Sequence, residues 1–493
     1  MRSDLIKIAS LIFLILNCSY QVSTGQELIQ APAAIHISST ISEGKYSIPE
    51  IIEIARLNSI KVVILTDRDS MRWEYGLWPL RNMIKKTVES NSVFKYGIRR
   101  YLNEISQAQE RNPDLVIIPG VESAPFYYWQ GSPINSSLKM HNWHKHMLAI
   151  GLEDAEDYEY LPVIGNKKVL RLPFKLKDTY RLWPLLILLV GILFQSKKLF
   201  NYKDLADRSL GPYSRTWRTC GIVLIILGIL FSLNNFPFRE VMFDKYKGDL
   251  GIKPYQKFID YVNQRGGSSF WAHPEAANIK KVGIVSTETQ EHSQDLLESK
   301  GYSGFTIFYE GYKRVGQPGG IWDEVLKQYC QGKRKAPIWA IGGLCFDQTG
   351  ELTNRIKALR TVFLVPELSK VAVLEALKMG RMYVMRGRES SQFVLDKFVV
   401  YDGFTNVYAI MGEQINLENN PRIEIGGQFL AGRKKPVKIK LIRNGNIIKT
   451  FEVNSPFDIS FQDDYEGGER KFYYRVEIQS DGVFLVTNPI FVG

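Results

Sequence analysis

The chain opens its folded part with short, unbroken apolar runs: Val62–Leu65, Leu115–Ile118, Met147–Ile150, Phe270–Ala272, Thr306–Tyr309 and Ile338–Ile341. Runs of this length without polar alternation are typical of parallel strands covered on both faces. Between them the period changes to that of helices. Ser47 and Glu50 form a capping box ahead of Ile51, Ile54 and Ala55, which share one face. A further helix is predicted from Glu367 to Met379, with Gly380 as its stop. Repeated β-α units predict an α/β barrel, in two parts spanning 30–165 and 249–402.

Two longer apolar runs interrupt it within 166–248. Leu182–Ser196 and Thr219–Phe238 contain no charged residue. A membrane span needs about 20 apolar residues; the second run meets that, and Arg181 and Lys197 extend the reach of the first by snorkelling. The loop between them carries Lys197, Lys198, Lys203, Arg208, Arg215 and Arg218 against Asp204 and Asp207, which predicts a cytoplasmic loop. At the N-terminus, Arg2 and Lys7 flank the apolar run Ile8–Leu16, the pattern of an export signal within 1–25, with Cys18 a candidate for lipidation. Both signals place the folded parts on the outer face of the cell membrane, with the lipid bilayer as a partner. From 403 to 493 the pattern becomes alternating: Val437, Ile439 and Leu441 return through the turn Asn444-Gly445, and a second pair flanks Asp481-Gly482. This predicts a small antiparallel β-sandwich.

With 45% hydrophobic and 23% charged residues, the composition excludes a disordered chain. The net charge of +12 does not point to nucleic acid, because the basic residues are scattered apart from the cluster between the apolar runs. Four cysteines are no disulfide framework; an export route permits a Cys330–Cys345 bridge, but two unpaired buried thiols are the simpler expectation.

The candidate chemistry lies where predicted strands end, the place where α/β barrels build active sites. His36, Asp67, Arg68, Glu122 and His273 follow apolar runs, and His146 precedes one. His141 and His144 are expected to be loop residues and His292 a solvated one.

Several of these segments resemble motifs of the PHP (polymerase and histidinol phosphatase) superfamily. Ala34-Ile35-His36-Ile37-Ser38 through Ser42-Glu43-Gly44 resembles its first motif, and Leu65-Thr66-Asp67-Arg68-Asp69 its T-D-H-D motif. Pro119-Gly120-Val121-Glu122, His146-Met147-Leu148, Ala272-His273-Pro274 and Gly342-Gly343-Leu344-Cys345-Phe346 resemble the later ones, and Ala372–Val384 resembles the CehA/McbA-like metallohydrolase branch. The resemblance implies a distorted seven-stranded β/α barrel, a divalent metal (Zn, Mn or Fe) and hydrolysis of phosphate or carbamate/carboxyl esters. It also implies that Glu122, His146 and His273 hold one ion and that His36 and Glu43 line the same cavity. Ser38, Arg68, Leu344 and Phe346 stand where the family has ligands, so its other metal positions are degenerate. Arg68 is then expected to pair with Glu43 or to face an anionic ligand, with Asp67 beside it. Two readings follow. One is a hydrolase with a single ion and a small anionic or ester substrate. The other is a pseudoenzyme without metal that binds or scaffolds a protein partner in the cell envelope.

Overall fold

The computed structural model describes residues 28–169, 171–195, 215–282, 285–465 and 470–493. The predicted signal and the basic loop from Lys197 to Arg208 lie outside the described residues.

Seven strands close into a barrel: β1 (Ile29–Ile37), β2 (Val62–Arg68), β3 (Val116–Ser123), β4 (Met147–Ile150), β5 (Ser268–Trp271), β6 (Gly304–Phe308) and β7 (Trp339–Phe346). They neighbour one another in that order, and β7 pairs in parallel with β1 to complete the ring. The strands are almost wholly buried, as their unbroken apolar runs require. One expectation is corrected. β4 runs antiparallel to both β3 and β5. The segment after Ser123 carries no crossover helix, so the chain re-enters the sheet from the end at which it left. That reversal puts the start of β4, beside His146, at the same barrel end as the last residues of β2, β3 and β5.

Helix α1 (Ile48–Leu57) begins at the Ser47–Glu50 capping box and buries Ile48, Ile51, Ile52 and Ala55. The predicted helix after Pro366 starts later than expected, at Lys370, because Ser369 caps it by accepting from the Ala372 amide. Gly380 ends it in the left-handed region at φ +78°.

The C-terminal part is a two-sheet structure with its own apolar core. It begins earlier than the sequence reading put it, with strand Phe393–Asp402, which pairs with Pro421–Phe429. Nor is it a separate sandwich. β8 (Leu359–Val365) pairs with β1, and β9 (Met382–Arg386) joins β8 to Val483–Thr487, so one C-terminal sheet extends the barrel wall. A buried ion pair fastens the two parts. Arg475 donates through Nε and Nη2 to both oxygens of Asp323, at 2.9 and 2.7 Å, and Tyr473 donates to the same carboxylate. Both charged side chains are fully buried. Arg475→Ala strands Asp323 and should cost about 3 kcal/mol, read as a lowered urea midpoint.

The interruption contains helices α2 (Trp183–Gln195) and α3 (Arg215–Asn235). Among the described residues one helix, at Trp217–Asn235, is long and apolar enough to cross a membrane, with a mean hydropathy of 1.8. The described part of α2 is too short. The two pack side by side at glycines: a Cβ on Gly228 would sit 2.7 Å from the Leu188 backbone, and one on Gly191 2.7 Å from the Ile225 amide.

Cys330 and Cys345 are not bridged, and Cys345 is exposed at the end of β7 rather than buried.

Candidate metal centre

The site is built at one end of the barrel, where the chain is repeatedly bent out of regular strand geometry. β1 carries a bulge at its end: its register against β2 and β7 jumps between Ile35 and Ile37. His36, the residue skipped, has φ +69°, and His273, just past β5, has φ +34°. Such backbone costs energy in a residue with a Cβ, and a bulge re-aims the side chain it carries. The room for the His36 ring comes from β7. A Cβ on Gly343 would lie 3.1 Å from His36 Nδ1 and 2.6 Å from Thr306.

Glu122, on β3, is the centre of the cluster, and its two oxygens face different partners. Oε1 lies 2.9 Å from His146 Nδ1 and 3.6 Å from His273 Nε2, and those two nitrogens are 3.2 Å apart. Oε2 lies 3.1 Å from His36 Nε2 and 3.4 Å from Arg68 Nε. Arg68 Nε donates in turn to Glu43 Oε1 at 2.6 Å, and its Nη1 meets His146 Nε2. The ion pair between Arg68 and Glu43 is therefore present, with the guanidinium between the two carboxylates.

The Glu122–His146–His273 triangle fits a metal ion. Bonds of about 2.0–2.2 Å to a tetrahedral ion place its ligands roughly 3.3–3.6 Å apart, and the observed sides are 2.9, 3.2 and 3.6 Å. All three residues are buried, and Glu122 Oε1 has no hydrogen-bond donor. The other ring nitrogen of His146 meets both the Trp143 carbonyl, at 3.0 Å, and Arg68 Nη1; a metal on Nδ1 requires it to donate to the carbonyl, with the guanidinium drawn back from it. Burial by itself would raise the Glu122 pKa, but Arg68, then His36 and His146, hold it well below the usual carboxylate range. Burial, then Arg68, pushes the His146 pKa well down. An ionised carboxylate beside a neutral imidazole is the protonation state that metal binding requires.

Asp67 does not join this cluster. Its carboxylate accepts from the Ser39 amide at 2.7 Å, the Ser39 hydroxyl at 3.0 Å and the Ser42 hydroxyl at 2.6 Å. It thereby clamps the turn that presents Glu43, a turn in which a Cβ on Gly44 would collide with Ser38 O at 2.0 Å. Asp347 is spent on its own turn, accepting from Thr349. Leu344 and Phe346 are buried, and Phe346 stacks on Tyr46; the β7 side chain that feels the charges of Glu122 and Arg68 is Cys345, between them.

Two histidines sit differently from the sequence reading, and a third is closer to the site than a loop position alone implies. His144 lies in a turn, as expected, but is half-buried with its ring edge-on to His146, and burial, then Arg68, lowers its pKa to about 4. His141 ends a short strand and stacks on Tyr128. His292 is buried against Trp271, and burial lowers its pKa to about 3. A polar flank predicts exposure only if the strand beneath it leaves the ring uncovered; here Trp271 covers it.

The sequence reading also passed over Asp69. It is fully buried, accepts from Ser123 and has one oxygen without a donor. Burial raises its pKa to about 7. Because the folded value lies above the unfolded one, the folded state binds the extra proton from about pH 4 to 7, and stability falls as pH rises through that window. Relative to Asp69→Asn, which cannot ionise, the wild type should lose about 4 kcal/mol between pH 4 and 8. Urea unfolding of both proteins across that range measures it, and parallel curves would refute a buried neutral Asp69.

No family model matches the chain, and no curated protein matches it. Solved structures similar to it include PHP-like phosphoesterases. One is a two-domain protein from Bacteroides vulgatus containing a predicted PHP-like metal-dependent phosphoesterase. It is 12% identical, covers 91% of this chain and 90% of its own, and has a TM-score of 0.35. A second, from Bifidobacterium adolescentis, is described as a metal-dependent phosphoesterase; it is 15% identical over 66% of this chain and 91% of its own, with a TM-score of 0.29. A third is an amidohydrolase from Chromobacterium violaceum with bound sulfate and no metal, 15% identical over 65% of this chain and 89% of its own, with a TM-score of 0.27. At these TM-scores the likenesses decide nothing about the site. The closed barrel and its convergent side chains carry the reading.

Proposed function

We propose that this chain is a membrane-anchored, metal-dependent hydrolase of the PHP type that works with a single divalent ion. The observation that carries the reading is the convergence of Glu122 Oε1, His146 Nδ1 and His273 Nε2 within 3.6 Å of one another. A divalent ion held there would lower the pKa of a bound water and polarise a phosphoryl or acyl oxygen. The chain's own residues supply the rest. Arg68 stands against the other oxygen of Glu122 and provides fixed positive charge toward an anionic ester. Glu43 and Glu122 hold that guanidinium in place, and His36 supports Glu122 Oε2. Purified protein given Zn or Mn should release nitrophenol from a nitrophenyl phosphate or nitrophenyl carbamate, and His273→Ala should not.

A second reading has its own support. Arg68 already neutralises both carboxylates and touches His146, an arrangement that suits a metal-free binding or scaffolding protein of the cell envelope. Metal content separates the two.

The anchor proposed is the α2–α3 pair, lying within the apolar runs Leu182–Ser196 and Thr219–Phe238, with the folded parts outside. Leu186, Leu189, Ile192, Ile222, Ile226 and Leu233 all face outward from the pair, a display that water penalises and lipid does not. Protease added to intact spheroplasts should cut the C-terminal sheets and spare the loop containing Lys203. Cleavage at Lys203 with the sheets protected would reverse the orientation.

A further inference from the structure

A β-hairpin, Arg72–Gly76 paired with Lys85–Glu89, leaves the barrel just after β2, which carries Asp67 and Arg68. Its tip, residues 77–84, inverts the usual surface pattern. Trp78 is 79% exposed and Ile84 52%, with Leu77 and Met83 also exposed. This is not the spread side of a loosely held loop. The tip closes on itself, Leu77 N donating to Ile84 O at 2.9 Å and Ile84 N to Leu80 O at 2.8 Å. With those backbone groups satisfied internally, the apolar side chains are what the tip offers outward.

The tip is also fastened to the base of the apolar helix pair. The Asn82 amide donates to Asn234 Oδ1 at 2.9 Å, and Asn82 Nδ2 donates to Asn234 O at 2.6 Å, at the end of α3. Around the same base, Leu176 is 85% exposed and Phe236 67%, and Tyr180 is exposed just ahead of α2. Aromatic and aliphatic side chains at the foot of a membrane helix lie at the headgroup–acyl boundary. Lys86 follows the tip, is exposed and can meet anionic headgroups; Lys85 is paired with Glu74.

We propose that the 77–84 tip is a second, monotopic membrane contact: it inserts Leu77, Trp78 and Ile84 into the outer-leaflet boundary beside the helix pair. The occupant of this surface is the lipid bilayer, because the Asn82–Asn234 hydrogen bonds hold the apolar tip beside the foot of the helix pair, whose apolar side chains face outward. Two fastenings side by side fix the tilt of the barrel where a lone hairpin would leave it free to swivel. This inference rests on the membrane reading of α2 and α3.

The test uses the full chain reconstituted in phosphatidylglycerol-containing vesicles, with its native cysteines replaced by serine. An environment-sensitive fluorophore is attached at Trp78→Cys, at Ile84→Cys or, as a marker for the helix pair, at Ile226→Cys. The expected result is a blue-shifted emission at Trp78 and Ile84, quenched more strongly by lipid spin-labelled near the headgroup than by lipid labelled deep in the chain. Ile226 should be quenched more strongly by the deep label. If Ile226 is quenched while both tip positions emit as in water, the tip does not touch the bilayer and the inference fails, with the helix-pair anchor intact. If all three emit as in water, the anchor itself is wrong and the inference falls with it.

Discussion

Arg68→Ala is expected to lose about 3–5 kcal/mol of stability, the cost of removing one partner from a buried charge cluster. Arg68 is 13% exposed at its side chain and Glu43 27%, so solvent screening is modest. The loss is large because the guanidinium serves two carboxylates, Glu43 at 2.6 Å and Glu122 at 3.4 Å. Without it the two carboxylates lose the cation that lies between them. The double variant Arg68→Ala with Glu43→Ala should recover part of the loss, leaving a coupling of roughly 1–3 kcal/mol. Urea unfolding of the four proteins completes the cycle. A coupling of zero would mean that the two side chains do not share the pocket in solution.

Removing a ligand from the triangle should have the other large effect. Outer-shell changes around a metal cost roughly 10–100-fold in affinity. Losing one of only three protein ligands, in Glu122→Gln or His273→Ala, should therefore weaken Zn binding by more than about 100-fold. Hydrolysis should go with it. His36→Ala makes a graded contrast. Its imidazole meets Glu122 Oε2 rather than the triangle, so a weakening within the outer-shell range is expected. Competition against a chromogenic chelator measures all three. Equal losses for His36 and His273 would mean that the ion sits between Glu122 oxygens and not against Oε1.

The barrel was legible because six of its seven strands contain or overlap a short apolar run, a pattern that buried strands need; β1, which carries Gln30 and His36, was marked by its motif and not by such a run. The reversal of β4 was not legible. Direction is decided by which barrel end the connecting segment returns to, and no local residue reports that. The same holds for the join between β9 and Val483–Thr487, a long-range pairing that turns an expected separate sandwich into an extension of the wall. At the site, the resemblance brought Glu122, His146, His273, His36, Glu43 and Arg68 together, and the geometry has them within one cluster. It misplaced Asp67, whose neighbour Arg68 alternates to the opposite face of β2, so only one of the two can look into the cavity. Asp69 stands inside the quoted T-D-H-D-like segment but was given no role, and His144 was read only as a loop residue. Their importance comes from burial, which a single chain of letters does not display. The pairing of Arg68 with Glu43 was one of two expectations that the resemblance offered for that guanidinium, and the ion pair is present.

The central claim, one ion beside one fixed guanidinium, is tested most directly by counting metal. Protein purified without added metal, loaded with Zn or Mn and dialysed should retain one divalent ion per chain by elemental analysis, and Glu122→Gln should retain none. Two or more tightly held ions per chain, or none under any loading condition, would contradict it.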